Sequence, residues 1–289
     1  MINTLLPGAI GISGLALRES IQLARDAGFQ GVAFDIVEAK AIADERGVAH
    51  LQAMFEDAGV RPTLWSPPVE WQNDATRDSQ IAQLAPFAEL GARLGATNVT
   101  TGIMPANNDR PYDEQYAWLQ ERIRPYAAAL ASSGIRLGIE FISPKTLRNQ
   151  FTHQFIYTMK DMLAFAKDVG TGNVGVLFDV WHHYCAHGTL EDMDILTADD
   201  VQFVHTNDAP TGIAIDEQQD LSRTLPMETG VIPAPEMLRK LADIGYQGGV
   251  GAEPFSKRIN ELAATDPLAA ATETCEAQTK LFQAAGLSS

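Results

Sequence analysis

The 289-residue sequence is poor in cysteine and in basic residues, and it contains no long apolar run. Its two cysteines, Cys185 and Cys275, do not form the disulfide framework of a small secreted protein, so we expect a reducing compartment. Lys and Arg total 21 against 37 Asp and Glu, and the formal net charge of −16 argues against a nucleic-acid partner. Because no stretch of 18 apolar residues occurs, we expect no membrane partner either.

Two motifs are also missing. Residues 1–17 lack a basic segment ahead of an apolar run and include Pro7 and three glycines, which is unlike a secretory signal peptide, so we expect a cytoplasmic protein. No glycine-rich phosphate loop follows a predicted strand. This absence disfavours an open doubly wound sheet that binds a nucleotide.

The sequence does contain a regular alternation of short apolar runs and longer amphipathic runs. Strands are predicted over residues 9–12, 31–37, 60–65, 97–103, 135–142, 174–180, 201–206 and 248–253. Helices are predicted over 17–28, 45–58, 76–95, 112–133, 154–169, 235–245 and 267–285, and 207–233 is predicted as a long polar segment. Strands that alternate with helices form parallel sheets. Eight such units predict an α/β fold, a (β/α)8 TIM barrel, with residues 1–289 as a single domain.

Metal-binding side chains end four consecutive predicted strands: Glu140 on the fifth, Asp179 on the sixth, His205 on the seventh and Glu253 on the eighth. The carboxyl ends of barrel strands surround one site, so we expect these side chains to converge. Three carboxylates at one place repel one another, and a divalent cation removes that repulsion. This ligand set suits Mn²⁺, Mg²⁺ or Co²⁺, and Zn²⁺ is a further alternative.

The sequence around these positions resembles the xylose isomerase-like TIM barrel family of sugar phosphate isomerases and epimerases. It is most similar to 2-keto-myo-inositol (inosose) isomerase-like members. The segments that carry the resemblance are LGIEF at 137–141, NVGVLFDVWH at 173–182, VHTND at 204–208, DLSR at 220–223 with Pro226, and GY at 245–246 with EP at 253–254. The resemblance implies one metal ion, Mn²⁺ first, bound by the four strand-end residues, with Glu140 and Glu253 also serving as the catalytic acid–base pair. It further implies that His182 and Arg223 contact the substrate.

The family resemblance implies an isomerase or epimerase of a ketose or keto-polyol, which transfers a proton through a metal-stabilised enediolate. The expected partner is a small sugar or polyol, and a homo-oligomer is compatible with the family. A lyase on the same scaffold is the alternative, either an inosose or dehydroshikimate dehydratase or a C-glycoside-cleaving catalytic subunit. The last of these needs a small β-rich second subunit. A barrel nuclease is disfavoured because it needs additional histidines and a basic surface.

Two further residues are predicted to bind substrate. Trp181 follows a strand end and is expected to offer an aromatic wall to the C–H face of a sugar. Asp208 is expected to bind substrate directly or to hold Arg223. The loop after Arg223 departs from the family pattern, because one residue is added, Met227 replaces a glycine and Pro233 replaces an aspartate. This departure leaves the substrate open and does not affect the metal ligands.

Overall fold

Eight parallel strands close into a barrel in the computed structural model, which describes residues 1–287. The strands are β1 (Ile2–Leu5), β2 (Gly31–Phe34), β3 (Arg61–Trp65), β4 (Asn98–Ile103), β5 (Arg136–Phe141), β6 (Val174–Asp179), β7 (Val201–Thr206) and β8 (Gly249–Ala252). Each strand pairs with the next along the chain, and β8 closes the barrel on β1 through the pair Asn3 and Val250. The predicted (β/α)8 barrel is confirmed.

Helices surround the barrel and connect its strands. They are α1 (Leu17–Ala27), α2 (Ile36–Arg46), α3 (Val48–Ala58), α4 (Arg77–Ala82), α5 (Ala85–Leu94), α6 (Tyr112–Ala131), α7 (Lys145–Arg148), α8 (Met159–Val169), α9 (Val180–Cys185), α10 (Ala234–Asp243), α11 (Lys257–Ala263) and α12 (Pro267–Ala284). Among residues 1–287, no helix is both long enough and apolar enough to cross a membrane.

The first strand was predicted in the wrong place. The apolar run at 9–12 lies mostly in a 3-10 turn, Pro7–Ile10, which Gly11 ends in the left-handed conformation at φ +80°. The strand is instead β1, whose polar Asn3 and Thr4 are both buried inside the protein. Thr4 Oγ1 donates to the backbone oxygen of Ile2 at 3.0 Å, so its hydroxyl is satisfied without water.

Three predicted boundaries also shift, each for a local reason. The second strand ends at Phe34 because the Asp35 side chain accepts the N–H groups of Val37 and Glu38 and so begins α2. The predicted helix 76–95 divides into α4 and α5 at Gln83 and Leu84, since Pro86 lacks the N–H that a continuous helix would donate to the Ala82 oxygen. The predicted helix 154–169 begins only at Met159, because 153–154 pairs with 106–107 as a two-stranded sheet.

Closely packed side chains fill the interior of the barrel. Leu6, Leu64, Leu177 and Phe203 form one buried cluster inside it. Gly175 on β6 faces the strand beside it so closely that a β-carbon would overlap the backbone oxygen of Asp200. The strands are thereby fixed in register, and their carboxyl ends hold the loops that follow at set positions.

Candidate metal centre

Four side chains at the carboxyl ends of neighbouring strands meet at one point. Glu140 of β5, Asp179 of β6, His205 of β7 and Glu253 directly after β8 each offer one ligand atom, and these atoms lie within 4.8 Å of one another. The strand register brings them together, because Asp179 is paired with His205, and His205 is paired with Gly251 two residues before Glu253. Asp179 is fully buried and His205 nearly so.

The His205 ring lies between two of the carboxylates. Its Nδ1 is 3.3 Å from Glu140 Oε1 and 3.3 Å from Glu253 Oε2. Burial alone would lower the pKa of His205, but the charge of Glu253 and the contact with Glu140 outweigh it and raise that pKa well above its usual value. Burial raises the pKa of Glu140 to about 7, with the charge of Glu253 adding to the effect. In contrast, His205 and Arg223 together overcome the burial of Glu253 and lower its pKa.

Arg223 from the loop after β7 enters the same site as a buried cation. Its Nη1 donates to Asp179 Oδ2 at 2.7 Å and to Glu253 Oε2 at 2.9 Å. Its Nη2 donates to Asp220 Oδ1 at 3.2 Å and lies 3.1 Å from His182 Nε2. Only 4% of the residue is exposed. The guanidinium is therefore held in one orientation by several charged partners.

His182 is the second predicted substrate residue at this site. Its Nδ1 accepts the backbone N–H of Ser143 at 3.2 Å, and its Nε2 lies 3.8 Å from Asp179 Oδ2 and 4.0 Å from Glu140 Oε1. Burial of the ring lowers the pKa of His182 to about 3, so the imidazole is neutral at physiological pH. The hydrogen bond from Ser143 orients the ring so that Nε2 faces the carboxylates of Asp179 and Glu140.

Trp181, which the sequence suggested as an aromatic wall for a sugar, packs beside Arg223. It is fully buried, and its ring lies 5.2 Å from the guanidinium carbon of Arg223. The ring of Phe255 lies 5.1 Å from the same carbon, and Phe255 adopts a left-handed backbone at φ +38°. The two rings therefore both lie within cation–π distance of the arginine.

Asp208 makes its hydrogen bonds within its own loop. Its carboxylate is 1% exposed and accepts five backbone N–H groups of its own loop: those of Ala209, Thr229, Gly230, Val231 and Ile232. Both oxygens are thus bound to backbone N–H groups of the loop. Asp208 shapes the loop that carries Arg223.

Sequence analysis missed Asn207, which is fully buried beside the metal ligands. Its Nδ2 donates to Asp179 Oδ1 at 3.1 Å, and the same oxygen accepts the backbone N–H of Trp181 at 2.8 Å. With Oδ1 bound in this way, Oδ2 of Asp179 is the oxygen that faces the other ligands. The position of Asn207, two residues after His205, was the available signal, because alternate residues of an extended chain share a face.

The donor set fits a divalent cation. Carboxylate oxygens and one imidazole are the ligands of Mn²⁺, Mg²⁺, Co²⁺ and Zn²⁺ in proteins, and here they converge in a buried setting. Neighbouring donors hold Asp179 in a fixed orientation, as is usual for the carboxylate ligands of protein metal sites. When His205 is neutral, as a metal ligand must be, the charge of the three carboxylates exceeds that of Arg223, so a divalent cation lowers the electrostatic energy of the site.

Comparison with known proteins agrees with this fold and site. The family model of the xylose isomerase-like TIM barrel matches residues 21–279. D-psicose 3-epimerase of Agrobacterium fabrum is 26% identical over 238 residues, which cover 78% of this chain and 76% of that protein. Inosose isomerase of Bacillus licheniformis is 28% identical over 155 residues, which cover 52% of this chain and 51% of that protein. A xylose isomerase domain protein from Alicyclobacillus acidocaldarius superposes with a TM-score of 0.85 at 29% identity over 99% of both chains. The resemblance drawn from the sequence is confirmed, and the chain belongs to the xylose isomerase-like TIM barrel family.

Proposed function

We propose that the protein is a metal-dependent isomerase or epimerase that acts on a ketose or keto-polyol. The observation that carries this proposal is the convergence of Glu140, Asp179, His205 and Glu253 at one end of the barrel. The similarity to proteins named D-psicose 3-epimerase and inosose isomerase supports the same class of reaction. These four residues would hold the cation, with Mn²⁺ as the first choice, and the cation would supply Lewis-acid polarisation of a substrate carbonyl.

Glu140 and Glu253 carry the proton transfer in this proposal. They reach the site from β5 and from the end of β8, and each lies 3.3 Å from His205 Nδ1 through one oxygen. One carboxylate takes a proton from the carbon beside the carbonyl, and the other returns a proton. Return to the opposite face of the same carbon gives an epimer, whereas return to the adjacent carbon gives an isomer.

Arg223 and His182 orient the substrate in this proposal. Both are buried and are held by several partners, so they present donors to substrate oxygens without having to reorganise during the reaction. A flexible surface arginine would first have to lose its rotamer freedom, which costs up to about 2 kcal/mol. The aromatic rings against Arg223 keep water away from the guanidinium.

The test is proton exchange in D₂O, followed by NMR, with Mn²⁺-loaded protein and a panel of ketoses and inososes. We expect metal-dependent deuterium incorporation at the carbon beside the carbonyl, with an isomer or epimer as product. Glu253→Gln is expected to lower the rate by at least about 10²-fold, the usual contribution of a general acid or base. Glu261→Gln, on the exposed face of α11, is the matched control and keeps full activity.

Three results would contradict the proposal in different ways. Full activity of Glu253→Gln would remove that residue from the proton transfer. Exchange followed by loss of water would assign the chain to the dehydratases. Absence of exchange across the panel, although the protein binds metal, would reject proton transfer on these substrates.

A further inference from the structure

The loop between β7 and α10 is folded back onto the end of its own strand by Asp208. The Oδ1 atom of Asp208 accepts the N–H groups of Ala209, Val231 and Ile232 at 2.9, 3.1 and 3.0 Å, and Oδ2 accepts those of Thr229 and Gly230 at 3.0 and 2.6 Å. A buried carboxylate with five such donors is fully satisfied. The backbone at 229–232 is therefore wrapped around a single side chain.

The backbone of Asp208 holds a second point of the same loop. Its N–H donates to the Thr224 oxygen at 3.0 Å, and the Thr224 N–H donates back to the Asp208 oxygen at 2.9 Å. Thr224 is the residue next to Arg223. Both ends of the segment from 224 to 232 are thus hydrogen-bonded to Asp208. These bonds fix the position of the backbone next to Arg223.

The conformation of this segment requires such an anchor. Met227 adopts a left-handed backbone at φ +67°, and Leu221, two residues before Arg223, does so at φ +60°. Each costs about 1–2 kcal/mol for a residue with a side chain. Both side chains are exposed, so burial of the side chain does not compensate for that cost. The hydrogen bonds to Asp208, together with those between Leu225 and Glu228, hold the turn at Met227.

We propose that Asp208 is a positioning residue that sets the guanidinium of Arg223 against Asp179 and Glu253, and that it acts on the site through Arg223. For the part that Arg223 plays in turnover, this inference rests on the proposed function. Its effect on the ligand carboxylates does not, because the bonds from Arg223 to Asp179 and Glu253 are present in the structure. The inference can therefore be tested by metal binding alone.

The loop offers a matched control. Asp216 is a second carboxylate of the same loop, and it lies at the exposed tip, where it accepts Lys145 Nζ at 2.6 Å and lies 2.8 Å from His187 Nε2. Exposed ion pairs contribute little to stability. Asp216→Asn therefore removes the same charge from the same loop and leaves the bonds at Asp208 intact.

The experiment is a double-mutant cycle on the full chain, with the Mn²⁺ dissociation constant measured by calorimetry. Asp208→Asn places an NH₂ group against backbone N–H donors, so part of the anchor is lost. Arg223→Ala removes a cation from two ligand carboxylates and is expected to tighten Mn²⁺ binding by about tenfold. Asp208→Asn is expected to tighten binding about threefold or more in the wild-type background and less than about twofold in Arg223→Ala.

The direction of the shift separates this proposal from a simple charge effect. Loss of the negative charge of Asp208 alone would weaken the binding of a cation, whereas release of Arg223 strengthens it. Weaker binding in Asp208→Asn, no change, or an equal shift in the presence and absence of Arg223 would each overturn the proposal. Asp216→Asn is expected to bind Mn²⁺ as the wild type does, and an equal shift in that variant would also overturn it.

A second variant keeps the test decisive if Asp208→Asn does not fold. Thr229→Val removes the hydroxyl that donates to the Ala209 oxygen at 2.6 Å and keeps the charge of Asp208. It is expected to shift Mn²⁺ affinity in the same direction by a smaller factor, and an unchanged affinity would overturn the proposal.

A turnover measurement separates this inference from the proposed function. With a substrate that the wild type converts, Asp208→Asn is expected to lower kcat/KM about 10- to 100-fold, and by much less when Arg223 is already alanine. Additive losses would overturn the proposal. A wild type that converts no substrate, combined with coupled Mn²⁺ affinities, would reject the proposed function and support the positioning role.

Discussion

Replacement of Asn207 with alanine tests whether the structure orients Asp179 for a metal ion. Asn207 Nδ2 supplies one of the two N–H donors on Asp179 Oδ1, and the backbone N–H of Trp181 supplies the other. Without Asn207, Oδ1 keeps only the N–H of Trp181, and the bond from Arg223 to Oδ2 is the other contact that orients the carboxylate, so its orientation is less fixed. The loss of such a supporting contact weakens metal binding by about 10- to 100-fold in metalloproteins, and we expect a change of that size for Mn²⁺.

The expected effect can be read as a thermal shift. At a Mn²⁺ concentration of about 100 times its dissociation constant, the wild type gains about 2.7 kcal/mol. A variant that binds 10- to 100-fold more weakly gains about 1.4 to 0.4 kcal/mol at the same concentration. One kcal/mol raises Tm by about 2 °C in a chain of this size. We therefore expect Mn²⁺ to raise Tm by about 5 °C in the wild type and by about 1–3 °C in Asn207→Ala.

Calorimetric melting with and without Mn²⁺ measures this difference, and Asn173→Ala is the matched control. Asn173 is also a buried asparagine, but it precedes β6 at the opposite end of the barrel, where its Nδ2 donates to the oxygens of Ala127 and Ile135 at 2.9 Å. Its loss lowers Tm of the metal-free protein and leaves the Mn²⁺ shift unchanged. A wild-type Mn²⁺ shift in Asn207→Ala would refute the reasoning, because Asp179 would then be oriented without Asn207.

Two further predictions concern pH and packing. A metal ion must displace a proton from Glu140, whose pKa is raised to about 7, and from His205, whose pKa is also raised. We therefore expect the Mn²⁺ affinity to fall by at least about tenfold per pH unit as the pH decreases below 7. Titration calorimetry at pH 6, 7 and 8 checks this, and a constant affinity would contradict it. Gly175→Ala forces a β-carbon against the backbone oxygen of Asp200 and is expected to lower the free energy of unfolding by about 1–3 kcal/mol. Urea denaturation measures that loss. An unchanged midpoint of unfolding would show that the backbone moves to admit the β-carbon without a loss of stability.

Seven of the eight strands were located from the sequence, including β3 and β4, which carry several polar residues. The strand β7 was predicted with its observed bounds, because Val201, Phe203 and Val204 mark it as buried on both sides. The strand β1 was missed because Asn3 and Thr4 make it look like a loop. The buried Thr4 donates locally to Ile2, but Asn3 donates to Cys275, which is 272 residues away, and such a long-range partner is not visible in a periodic pattern.

The same distinction applies to the site. The convergence of the four candidate ligands could be predicted because the carboxyl end of each strand is fixed by the barrel, so that only the last residues of each strand had to be identified. Arg223 was named only through the family resemblance, and the contacts of Asp208 could not be predicted, since both depend on how an irregular loop of the chain satisfies its own backbone N–H groups. Trp181 illustrates the limit, because its place after a strand end indicated the right end of the barrel and not whether the ring is exposed.

The departures of this chain from the family pattern lie in the outer turn of the loop after β7 and not at the metal ligands. Met227 stands where the resemblance leads us to expect a glycine, and it keeps a left-handed backbone at φ +67° that glycine adopts without strain. The hydrogen bonds to Asp208 and the pairing with Thr224 hold that turn despite the side chain. Met227 is 38% exposed, and Arg223, four residues before it, still contacts Asp179 and Glu253. The sequence of this turn can therefore differ from the family pattern without any change in the residues that would hold the metal or move the proton.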